Sequence, residues 1–80
     1  MKLYILLAIP EALSKFPDWD YDCYFGHVIE AQDEDQARQL AAEVAADEGK
    51  EGWLSPAITS CEELRVTGTA HIILSDFHAG

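Results

Sequence analysis

Eighty residues, 49% of them apolar, suit one small domain and exclude a disordered acidic tail. Fifteen Asp and Glu against five Lys and Arg give a formal net charge of −10, which argues against binding nucleic-acid phosphates and points to basic or neutral partners. A chain this short has no room for a second domain or a large catalytic cleft, so residues 1–80 are expected to fold as one unit.

Lys2 to Ile9 is a continuous apolar run, short enough for a strand and stopped by Pro10, which has no N–H to give a ladder; a central strand is expected there. The run is far short of the ~20 residues that span a bilayer. Only Lys2 precedes it, and Pro10-Glu11 follow where small residues would prepare a cleavage site, so a soluble cytoplasmic protein is expected. Glu11 to Trp19, with Ser14, Lys15 and Pro17, reads as a connecting loop with one helical turn. A second strand is expected from Tyr21 to Ala31. It would carry Cys23, Phe25, His27, Ile29 and Ala31 on one face and Tyr24, Gly26, Val28 and Glu30 on the other.

Asp33 followed three residues later by Gln36 is a relative of the capping box, and Ala37, Leu40, Ala41, Val44 and Ala45 then repeat at helical spacing. The spacing predicts a helix over 34–47. Asp33-Glu34-Asp35 suit its positive end, and Gly49 offers a left-handed cap beyond its last turn. Lys50 to Ser60 is expected to be a loop anchored by Trp53. A third, half-buried strand is expected over Cys61 to Thr67, a break at Gly68, and a fourth strand over Ala70 to Phe77. The expected fold is therefore α+β, in the order β-β-α-β-β: a four-stranded, mainly antiparallel sheet with one helix packed on one face.

The patterns that carry chemistry are incomplete. Cys23 and Cys61 have neither metal nor redox spacing and are expected to be reduced core residues. Asp18, Asp20 and Tyr21-Asp22 open like a calcium loop, but its sixth and twelfth positions, which need Gly and Glu, are Cys23 and Ile29. His27, His71, Asp76 and His78 form no metal-binding pattern, and neither cysteine, nor Ser75 with His71 and Asp76, sits in a nucleophile context. The five glycines are scattered, so no phosphate loop is present. No catalytic residue, cofactor or metal is expected.

Two surfaces invite partners instead. Aromatics interleaved with carboxylates at Asp18, Trp19, Asp20, Tyr21 and Asp22 suit docking of a basic partner. The helix's outer face adds Glu34, Asp35, Glu43, Asp47 and Glu48, diluted only by Arg38, and such an excess of acid can occupy a protein site built for nucleic acid. The second surface is the sheet face away from the helix. It is expected to expose Tyr4, Leu6 and Val28, to be covered by a second copy in a homodimer or by a protein partner, and to offer a small ligand a pocket at that interface.

Met1-Lys2-Leu3-Tyr4, Val28-Ile29-Glu30-Ala31 running into Asp33-Glu34-Asp35-Gln36-Ala37-Arg38, Trp53 ahead of Pro56, Gly68-Thr69-Ala70, and Ile73-Leu74-Ser75-Asp76-Phe77-His78-Ala79-Gly80 together resemble small acidic proteins encoded by bacteriophages and prophages. The closing Ser-x-Phe-x-Ala-Gly is the sharpest part of the resemblance. The chain departs from the pattern in its short segment after Ala70 and in its Asp18 to Asp22 cluster. The resemblance implies a phage accessory protein with no assigned activity and no catalytic residue. In size, charge and build the chain is also similar to anti-CRISPR and other anti-defence proteins, which implies a host protein or ribonucleoprotein with a basic surface as partner, without direct nucleic-acid binding.

Overall fold

A computed structural model describes residues 1–15, 19 and 22–76. Among these residues, three strands, β1 (Lys2–Ala8), β2 (Gly26–Ala31) and β3 (Thr59–Leu64), and three helices, α1 (Pro10–Leu13), α2 (Glu34–Glu43) and α3 (Glu51–Leu54), follow in the order β1-α1-β2-α2-α3-β3. The sheet order is β2-β1-β3, with both pairs antiparallel. The apolar run at the N-terminus is thus the central strand, as its two-sided hydrophobicity requires. Pro10 ends it by becoming the first residue of α1.

The pleat assigns the two faces. Tyr4 opposes Ile29 and Glu63, and Leu6 opposes His27 and Cys61, on the face that α2 covers. Leu3, Ile5 and Leu7 oppose Glu30, Val28 and Gly26 on β2 and Leu64, Glu62 and Ser60 on β3, on the second face. Gly26 lets β2 pass close to Leu7, since a Cβ there would lie 2.9 Å from the tip of the Leu7 side chain and push it aside.

Asp33 caps α2 by accepting from the Gln36 N–H at 2.8 Å, and the Gln36 side chain reaches back to the Gln32 N–H at 2.7 Å. Two N-terminal donors are thereby satisfied, one residue out of step with the usual box. The buried stripe is Ala37, Arg38, Ala41 and Ala42, with Ala45 packed behind it. Against the expected stripe, the helix is rolled so that Leu40 and Val44 face water, because the Arg38 guanidinium is drawn inward to β3. Trp53 fills the space beside the alanines with no exposed surface. Burying that one side chain contributes about 4–6 kcal/mol of transfer free energy.

Several expected boundaries are corrected. The helix ends at Glu43, not residue 47, because the chain turns inward to bury Glu48, whose carboxylate accepts from the Ala46 and Tyr24 N–H groups. Gly49 does take a left-handed conformation, φ 84°, but beyond that turn. The second strand begins at Gly26 rather than Tyr21, since the Tyr24 N–H is spent on Glu48 instead of a ladder. Strand three starts two residues early and ends at Leu64. Residues 70–76 form no strand, and Phe77 lies outside the described residues. After a turn at Gly68, φ 84°, the chain instead runs past the second sheet face, where it helps to reduce Ile5 to 7% exposure.

Candidate functional site

The acidic residues divide by what the helix does with them. Glu34 and Asp35 occupy the first turn of α2, where the positive end of the dipole favours them. Glu43 occupies the last turn, which holds no basic residue and where the dipole opposes negative charge, and Asp47 follows four residues later in the chain. The Asp47 N–H donates to the Asp22 carbonyl at 3.1 Å, so the backbone joins the acidic loop before β2 to the acidic end of α2. Asp22 itself sits at φ 53°, a left-handed conformation that Asp tolerates better than most residues. Asp22, Glu43 and Asp47 are all exposed. Asp18, Asp20 and Tyr21 lie outside the described residues.

Three of the five cations are spent elsewhere. Arg38, expected on the outer face, is buried: Nε donates to Glu34 at 2.9 Å, and the two other nitrogens donate to the Trp53 carbonyl, the Thr59 hydroxyl and the Thr59 carbonyl at 2.9–3.0 Å. Lys2 and Arg65 both engage Glu63, and the Arg65 hydrogen bond holds that carboxyl below its usual range. Glu48 also leaves the expected acidic face, since it is buried with its carboxylate accepting from the Trp53 indole at 2.8 Å.

Trp19 is corrected from partner anchor to core residue. It is 7% exposed and packs on Trp53, with ring centres 5.3 Å apart, and edge-on to Phe25. Gly52 makes room for it, because a Cβ there would come within 2.7 Å of the indole. Beside this pair the His27 ring stands edge-on to Trp53 at 4.6 Å and near Tyr24 at 5.1 Å. Burial pushes the His27 pKa down, against an upward pull from Glu48, and its Nε2 is buried without a hydrogen-bond partner. Burial and the charge of Glu34 push the Cys61 thiol up, with Arg38 opposing. Cys61 is thereby a poor nucleophile.

The expected self-pairing face is also corrected. Tyr4 is 7% exposed and Leu6 is fully buried beneath α2, so neither is available to a second copy, whereas Val28 is 57% exposed on the opposite face. The second face therefore belongs to Leu3, Ile5, Leu7, Val28 and Leu64. With residues 65–76 it walls two grooves: one of about 440 Å³ between Leu3, Leu64 and Ile73, and one of about 790 Å³ among Ile5, Leu7, Phe25, Val28 and Leu74.

No family model, curated protein or solved structure matches this chain. Function is read from these surfaces alone. Among the described residues no group of His, Cys, Asp and Glu side chains is placed to hold a metal ion, and no helix is long and apolar enough to cross a membrane. Local sequence patterns missed the second groove because its walls come from three segments far apart in the chain, 5–13, 23–28 and 74–76. The parity of β1 and β2 is the signal that could have found it: Val28 shares a face with Gly26 and Glu30, not with His27.

Proposed function

We propose that this chain is a non-enzymatic accessory protein of bacteriophage type. It inhibits a host defence or nucleic-acid-handling complex by covering a basic surface of that complex with carboxylates. The observation that carries the reading is the acid at the C-terminal end of α2. Glu43 stands in the last turn of α2, where the dipole makes its charge costly to the fold, and the exposed Asp47 beyond it is joined by its backbone to Asp22, while Arg38 turns its charge inward. Charge kept at a cost to stability is what a binding surface would retain. Glu34 and Asp35 extend the acidic surface to the other end of the helix, and the exposed carboxylates together repel phosphates and attract a phosphate-binding site.

Affinity purification from bacterial cells expressing the chain tests this. The expected capture is a nucleic-acid-handling protein whose binding weakens steeply with salt, competes with DNA or RNA, and is lost when Asp22, Glu43 and Asp47 are all changed to Lys. Binding indifferent to salt and to that charge reversal would overturn the reading.

A further inference from the structure

The larger groove on the second sheet face lies away from the α2 carboxylates and has a chemistry of its own. Its floor is Ile5, Leu7 and Val28, and its far wall is Leu74 to Asp76. Val28 and Leu74 are about half exposed, so apolar surface is open to water within it. Asp76 lines it, Glu30 is the next residue on the same face of β2 beyond Val28, and Glu11 adjoins the lining residue Pro10 in the chain. Neither lysine nor arginine is among the lining residues. The groove is thus an apolar trough with an acidic margin.

We propose that this groove takes a basic amphipathic segment of another protein, its apolar side chains against Ile5, Leu7 and Val28 and its Lys or Arg residues over the acidic margin. The volume, about 790 Å³, accommodates several aliphatic side chains, not an isolated one. Charge complementarity selects this occupant. A second copy would bring another −10 body, with its own Glu30, against the same margin. An anionic lipid surface is repelled for the same reason. The segment over residues 65–76 leaves the groove accessible: every residue of it is exposed, and the Thr67 hydroxyl and the His71 ring hydrogen-bond the backbone of Thr69 within the segment itself. This surface is separate from the α2 acids, and its failure would leave the inhibitor reading standing.

The two cysteines provide the readout, because Cys23 lines the groove while Cys61 faces α2 across the sheet. The full-length protein is mixed with a synthetic Leu/Lys peptide whose leucines repeat at helical spacing, and separately with the same residues in scrambled order. A thiol reagent and mass spectrometry then follow each cysteine. The expected result is that the amphipathic peptide slows modification of Cys23 at least about tenfold and leaves Cys61 unchanged, with the scrambled peptide far weaker. Val28→Gln and Glu30→Lys, both at exposed positions, should each weaken that protection severalfold while the thermal transition is retained. Equal protection by the scrambled peptide, no protection at Cys23, or unaltered protection in both variants would overturn the proposal. So would a sedimentation measurement showing a dimer that already shields Cys23.

Discussion

Changing Arg38 to Ala would remove four hydrogen bonds and leave the carbonyls of Trp53 and Thr59 buried without their donor. Breaking a buried charged network in this way costs about 3–5 kcal/mol, in a domain whose whole stability is about 4–12 kcal/mol. Urea unfolding should show the midpoint falling by half or the cooperative transition disappearing. His27 sets a pH dependence of definite sign. Its ordinary pKa is 6.5 and burial lowers it in the folded state, so the unfolded chain binds the proton more readily. Stability is therefore intact above about pH 6.5 and declines as pH falls from there through the lower folded value. His27→Phe should flatten the slope of melting temperature between about pH 7 and pH 5.5; an unchanged slope would assign the effect elsewhere. Neither Arg38 nor Glu48 could be recognised locally as a core residue. Charged residues are rarely buried unless paired, and the partners on which Arg38 depends lie 15 and 21 positions along the chain.

Elements follow their patterns where one interaction dominates and depart where two compete. Alternation sorted the two sides of β2, but β1 is apolar on both sides, so nothing local said that Tyr4 and Leu6 lie under α2 and Val28 on the other face; Asp33 marked the start of α2 because its cap is local. The roll of α2 was not legible, since periodicity places the apolar Leu40 inward and cannot anticipate a guanidinium that competes for the same space. Leu40, at 39% exposure, should therefore tolerate Asp with a loss of under about 1 kcal/mol, whereas Ala41→Asp, a fully buried position, should abolish the thermal transition. The residues 70–76 have strand composition but form no strand: beyond the bend at Gly68 they line the grooves of the second sheet face with every residue exposed. At the far end of α2, Glu43→Lys should raise stability by about 0.3–1 kcal/mol by reversing an unfavourable charge. The same change should weaken binding of the basic partner. Thermal melts and a binding titration on this one variant separate cost to the fold from benefit to the surface, and a variant that binds as before would remove Glu43 from the acidic site.

At the scale of the molecule, the sheet of the described residues has three strands and two edges, and both edge strands leave a row of backbone donors and acceptors that no other described strand pairs. Such rows are templates for further strands. On β3 the consecutive Glu62 and Glu63 discourage addition, but β2 offers His27, Val28 and Ile29 with Glu30 as its only carboxylate. At neutral pH such addition is opposed by long-range repulsion between whole molecules rather than by local protection of the β2 edge. As the carboxylates take up protons near pH ~4, that repulsion fades while the edge is unchanged. The chain should then assemble edge to edge into ordered aggregates seeded through residues 26–31, and replacing Val28 by Lys, a gatekeeper on that edge, should keep it dispersed at the same acidity.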